Sequence, residues 1–147
     1  MNLTYPAQFI PEEEGGFSIR IPGIDGTPDG AYTCGDDIDD ARRMASDLVD
    51  CWLSIHLHGN SPIPAPGDFP GGDGWELVRP SLRMQFVVTV RALRQREKLS
   101  QAEMASRLGV KQPVYAKLED PDKANPTLKT INNVFAALGY PAELIAR

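Results

Sequence analysis

Five residues between positions 101 and 117 have types suited to reading nucleic acid: Gln101, Lys111, Gln112, Val114 and Lys117. A glutamine amide pairs bidentately with adenine, and a valine packs on a thymine methyl. Lysine ammonium groups neutralise phosphates or reach guanine. The set suits a major groove if Gln112 opens an exposed helix and Gln101 opens the helix before it. At a helix start, backbone and side chain together clamp a phosphate, aided by the dipole.

Other candidate chemistry reads less sharply. Asp36, Asp37, Asp39 and Asp40 form an acidic cluster that could serve a two-metal nuclease. Catalytic carboxylates normally converge from separate elements, however, and four in one short run read better as a helix N-terminus. His56 and His58 lie two apart and diverge on a helix, so they do not make the i, i+4 pair a metal needs. No metal and no cofactor is expected. A nucleophilic serine motif, a GxGxxG and a P-loop are absent. Cys34 and Cys51 are too few for a disulfide scaffold and read as buried thiols in a reducing cytosol. Glu12, Glu13, Glu14, Asp25 and Asp29 are candidates for contacting a basic partner.

The elements that must position these residues divide the 147-residue chain in two. Residues 1–73 carry 13 Asp/Glu and 3 Lys/Arg, a balance of −10, whereas residues 74–147 carry 7 and 12, a balance of +5. An acidic half repels nucleic acid and a basic half attracts it. Residues 59–74, GNSPIPAPGDFPGGDG, are too rich in Gly and Pro to continue a helix and read as a linker or long loop. Domains are expected at 1–79 and 80–147. No run approaches 18 apolar residues, and the N-terminus has no basic n-region. Neither a transmembrane helix nor a secretory signal is expected, and no membrane partner.

In the first half, Leu3–Ile10 is rich in β-formers, although Pro6 favours an edge or a strand end. Phe17–Ile21 alternates apolar and polar, and Ala31–Cys34 makes a short third strand. A capped helix follows from Asp36/Asp37 to about His58, with Ile38, Ala41, Ala45, Leu48, Trp52 and Ile55 as its apolar stripe. Trp75–Val78 closes the domain as a fourth strand. The second half is helical. A helix from Pro80-Ser81 to near Lys98 carries Leu82, Phe86, Val90 and Leu93 on one stripe. Ser100 with Glu103 forms a capping box for Gln101–Leu108, and Gly109 makes the turn. Lys111–Glu119 forms the next helix, with Val110 and Leu118 beneath it. Thr127 caps a last helix that buries Leu128, Ile131, Val134, Phe135 and Leu138 and ends at Gly139.

Short helix, glycine turn, short helix is helix-turn-helix spacing. Residues 86–138, through LSQAEMASRLGVKQPVYAKLE followed by NPTL, resemble the XRE/Cro-like helix-turn-helix family. That family usually caps the recognition helix with Ser or Thr, where this chain has Lys111. The loop DPDKAN is also slightly longer than the commonest one. The resemblance implies a buried apolar position for Tyr115, with its hydroxyl outward.

The first half resembles the HicB antitoxin domain across residues 3–66. The matching pieces are Tyr5-Pro6, Glu14-Gly15-Gly16-Phe17, Ile21-Pro22-Gly23, Thr33-Cys34-Gly35-Asp36 and Ile63-Pro64-x-Pro66, with an insertion at Gly26–Gly30. This resemblance implies a partial RNase H-like sheet with helices and no nuclease activity. It also implies a HicA-like mRNA-cleaving toxin as partner, and repression of the chain's own operon. The expected fold is therefore an α+β domain, a small antiparallel sheet plus helix, followed by an all-α helix-turn-helix domain. The expected function is that of a cytoplasmic antitoxin and autorepressor, not an enzyme, which binds toxin and operator DNA as a homo-dimer or tetramer. The alternatives are a stand-alone ligand-responsive repressor and an RNase H-like nuclease.

Overall fold

A computed structural model describes residues 2–146. The chain separates into two compact units, Met1–Met84 and Gln85–Arg147.

The first unit is one antiparallel sheet with a helix across one face. Its strands are β1 (Tyr5–Pro11), β2 (Phe17–Ile21), β3 (Ala31–Gly35) and β4 (Trp75–Val78), in the order β3-β2-β1-β4, and its helix is α1 (Ile38–His58). Alternation in β2 places Ile19 and Ile21 in the core beside Tyr5, Ala7 and Phe9 of β1. Pro6 lies at the start of β1, the strand end expected for it, though β1 is an inner strand: β2 pairs with Gln8–Pro11, beyond Pro6, and β4 is the strand beside it. Gly35 ends β3 where α1 comes closest: a Cβ there would lie 2.4 Å from the Ala41 nitrogen.

α1 starts at Asp37, whose carboxylate accepts from the Asp40 N–H at 2.8 Å. The Asp40 carboxylate in turn accepts from the Asp36 N–H and from Arg43. The acidic cluster is thus a helix start, worth about 0.5–2 kcal/mol through its cap. The buried stripe of α1 is Ala41, Ala45, Val49, Leu53 and Leu57. This corrects the expected stripe beyond Ala45: Leu48 and Trp52 are half-buried and Ile55 is exposed. Burying Val49 and Leu53 contributes roughly 1.5–3 kcal/mol each. Cys34 and Cys51 are both exposed, not buried. Arg42 makes a bidentate pair with Glu76 at 2.9 and 2.8 Å, which fastens α1 to β4. The Tyr5 hydroxyl donates to the Pro64 carbonyl at 2.8 Å and pins the long 59–74 loop. Burial raises that phenol to about 12.

α2 (Leu82–Arg96) leads into the second unit, which continues with α3 (Gln101–Leu108), α4 (Gln112–Ala116), a 3-10 turn (Lys117–Glu119) and α5 (Leu128–Leu138). Val87, Val88 and Val90 of α2, Met104 and Ala105 of α3, and Val134 and Leu138 of α5 are buried. Phe86 meets Phe135 edge-on at 6.3 Å. Leu82 and Leu128, both expected in the core, are each 76% exposed because each sits in the first turn of its helix, off the packed stripe. Among the described residues no helix is long and apolar enough to cross a membrane.

Candidate nucleic-acid interface

The helix-turn-helix is built by local chemistry. Ser100 accepts from the Glu103 N–H at 3.0 Å, and Glu103 accepts from the Ser100 N–H at 2.6 Å, which completes the capping box of α3. Hydrogen bonds from Ser100 hold the Glu103 carboxyl below its ordinary value. Ala105 is buried where the helices approach. Gly109 takes the left-handed conformation, φ 67° and ψ 29°, that turns the chain into α4. At the start of α4, Lys111 is the cap residue in extended conformation and makes no side-chain cap hydrogen bond. Pro113 sits in the first turn, where its missing N–H costs nothing. α4 is only five residues long before it tightens into the 3-10 turn, so tertiary contacts must hold it.

Those contacts form a polar network. The Glu119 side chain is 3% exposed and faces Arg94, whose Nε and Nη2 donate to it at 2.5 and 2.9 Å. The Tyr115 hydroxyl donates to the same carboxylate at 2.7 Å, and Gln101 Nε2 donates at 3.1 Å. Arg94 Nη1 also donates to the Leu99 carbonyl at 2.7 Å. Burial pushes the Glu119 carboxyl up, but hydrogen bonds from Arg94, Tyr115 and Gln101, with the Arg94 charge, outweigh it and leave the carboxyl below its ordinary value. Burial, then the bond to this carboxylate, raises the Tyr115 phenol. Tyr115 is fully buried with its hydroxyl inward, which corrects the outward orientation expected of it. Val110, expected beneath α4, is 40% exposed because it lies in the turn itself.

The network reaches the surface through two amides. Gln101 Oε1 accepts from Gln112 Nε2 at 3.0 Å while Gln101 Nε2 binds Glu119. A buried ion pair thus orients Gln101, and Gln101 orients Gln112. Lys111, Gln112, Val114 and Lys117 are all exposed on α4 and its 3-10 extension, and Gln101 is half-buried beside them. Arg94, Tyr115 and Glu119 belong to the site as supports, and sequence reading missed that role. The available signal was a glutamate one helical turn after Tyr115, a position whose burial demands a cation beside it.

The acidic candidates of the first unit are scattered. Glu12 accepts from the Ser18 hydroxyl, while Glu13 and Glu14 are exposed in the β1–β2 turn. Asp25 accepts from the N–H and hydroxyl of Thr27 at 2.9 and 2.8 Å, bonds that lower its pKa. Asp29 accepts from the Tyr32 hydroxyl at 3.1 Å and lies 3.6 Å from Arg20. The His56 ring lies tilted against Trp52 at 6.4 Å, and His58 is exposed.

Comparison with known proteins agrees with this construction. A helix-turn-helix family model matches residues 90–145. A curated relative, Antitoxin HicB 1 of Photorhabdus laumondii, is 31% identical over 143 residues, which span 97% of this chain and 86% of the relative. With a strand-and-helix unit followed by a helix-turn-helix, and similarity running across both, the chain belongs to the HicB antitoxin family.

Proposed function

We propose that this chain is the antitoxin of a toxin–antitoxin pair. It neutralises a HicA-like mRNA-cleaving toxin through its first unit and represses its own operon through its second. The observation that carries the DNA-binding half is the hydrogen-bond relay from Glu119 through Gln101 to Gln112. It fixes an exposed amide at the start of a helix flanked by Lys111, Val114 and Lys117. A pre-oriented amide binds an adenine edge without first losing rotamer freedom. The toxin-binding half rests on family membership and on the −10 balance of residues 1–73, which steers a basic partner toward this unit. Paired helix-turn-helix modules span two half-sites of a palindrome, so the working form is a homo-dimer or tetramer in the cytoplasm.

Two measurements test the proposal together. Co-expression with the small basic protein encoded beside this chain should restore growth that the basic protein alone arrests. The chain should also retard a duplex from its own promoter in preference to a scrambled duplex. Growth arrest that the chain does not relieve removes the antitoxin role. Equal retardation of both duplexes removes the operator role.

A further inference from the structure

α1 covers one face of the first unit's sheet, and the strand register defines the other. Gln8 pairs with Arg20 on one side and Trp75 on the other, and Arg20 pairs with Tyr32. One row of side chains, Tyr32, Arg20, Gln8 and Trp75, therefore crosses all four strands on the face away from α1. Arg20 Nε and Nη2 donate to Gln8 Oε1 at 3.2 and 3.1 Å, and its guanidinium lies 5.8 Å from the Trp75 ring centroid. Asp29 holds both Arg20 and the Tyr32 hydroxyl. The neighbouring rows add Leu77 beside Pro6 and Ile10 beside Ser18. Tyr32 is 53% exposed, Leu77 49% and Ile10 38%. Carboxylates stand at the margin: Asp29 beside Tyr32, and Glu12 on the Ser18 hydroxyl.

We propose that this sheet face is the surface on which the basic toxin docks, an assignment that rests on the antitoxin reading above. Protein interfaces are enriched in tyrosine, tryptophan and arginine and keep most other charged groups to the rim; this face offers Arg20 on an inner strand, Tyr32 and Trp75 on the two edge strands, and the carboxylates of Asp29 and Glu12 at the margin. Arg20 is already held by Gln8, Trp75 and Asp29, so little of its side-chain freedom remains to be lost on binding. The sign of the partner follows from charge. Residues 1–73 carry 13 acidic against 3 basic residues, and one of those three, Arg20, is paired with Asp29. The same aromatic row resembles a base-stacking platform. RNA is disfavoured because the surrounding charge repels phosphates and the row's cation is partnered.

The test uses the full chain, titrated calorimetrically with the small basic HicA-like protein encoded beside it. Tyr32→Ala on one edge strand and Leu77→Lys on the other should each weaken binding about thirtyfold or more. Both sites are exposed, so melting and operator binding should be unchanged, and each variant stands in for the other if one misfolds. Asp47→Ala, on the exposed side of α1, alters net charge as Leu77→Lys does and should change binding by no more than about twofold. Wild-type affinity in both sheet variants overturns the surface assignment and leaves the antitoxin reading standing. Absence of binding by the wild-type chain overturns both. Binding of single-stranded polyuridine that is lost in Tyr32→Ala overturns the protein-docking assignment in favour of RNA.

Discussion

Replacing Glu119 with glutamine isolates the charge at the centre of the polar network while preserving its shape. The carboxylate accepts four hydrogen bonds, at 2.5 and 2.7 Å on Oε1 and at 2.9 and 3.1 Å on Oε2. A glutamine offers one acceptor oxygen and one NH2 group. Whichever way it is flipped, its NH2 faces an Arg94 N–H. If the oxygen takes the first pair, Arg94 Nη2 and Gln101 Nε2 are left facing N–H groups. If it takes the second, Arg94 Nε is, while the Tyr115 hydroxyl turns to accept from the NH2. Each orphaned donor costs about 1–3 kcal/mol, and removing one partner of a buried ion pair costs about 3–5 kcal/mol. Arg94 retains the Leu99 carbonyl, so the lower end applies, about 3 kcal/mol. For a domain of this size that lowers the melting temperature by about 12–24 °C. Trp52 and Trp75 both lie in the first unit, so tryptophan fluorescence follows that unit while far-UV circular dichroism also follows the second. The dichroism transition should fall and the fluorescence transition should stay. A dichroism shift below about 4 °C would refute the reasoning. The network also sets a pH dependence. The Glu119 carboxyl is depressed below its ordinary value of 4.5, so its contribution is complete above that value and lost as pH falls through the folded one. Glu119→Gln should abolish that acid-side loss.

Gln112→Ala should cost roughly 1–3 kcal/mol on the operator and little on a scrambled duplex; equal losses on both would reject base reading. Lys111→Ala and Lys117→Ala should weaken both duplexes and lower the salt slope by about one each, measured by titration at several ionic strengths. Gly35→Ala should destabilise the first unit by about 3 kcal/mol, because the added methyl meets the Ala41 backbone at 2.4 Å; an unchanged fluorescence transition would contradict that. The mass in solution should be an even multiple of the chain, and a strict monomer that still binds operator would break the pairing argument. Incubation with RNA, magnesium and manganese should leave the RNA intact; cleavage lost in Asp36→Asn would restore the nuclease alternative.

Local chemistry was legible in the sequence and tertiary choice was not. Ser100 with Glu103, Gly109, Thr127 and Gly139 mark helix ends through interactions within a few residues, and each is found where the pattern places it. α1 shows the limit. Leu48-Trp52-Ile55 and Val49-Leu53-Leu57 are both spaced for a helix face, and only the sheet decides which is buried. The same holds for Tyr115. Its burial on the inner side of α4 is implied by the family resemblance, but its hydroxyl direction depends on Arg94 and Glu119 meeting 25 residues apart. The row Tyr32-Arg20-Gln8-Trp75 draws on four separated segments, so nothing short of strand register reveals it.

The loop pinned by Tyr5 has a bearing on how this chain survives proteases. A stretch of this composition, with Phe69 exposed on it, would ordinarily be the first place an endopeptidase cuts. Cleavage requires the substrate to lie extended in the protease groove and to lend its backbone N–H groups. Proline withholds that N–H and fixes φ. Here proline directly follows Ser61, Ile63, Ala65 and Phe69, so the bonds after both large apolar side chains of the loop are poor substrates. Beyond Pro64, the point held by the Tyr5 hydroxyl, two short runs have no proline after their bonds, Gly67–Phe69 and Gly71–Gly74, and the second, which precedes β4, is tied by the bonds of the Gly72 and Gly74 carbonyls to the Trp75 and Phe9 N–H groups. A nick there leaves β4 joined to α2 but no longer to α1 through the loop, and β4 is then held by its pairing with β1, the Arg42–Glu76 bridge and the bonds of Ser46 and Asp50 to the chain just beyond it. The prolines thus confine the cleavable bonds of this half of the loop to two short runs rather than leaving its whole length open.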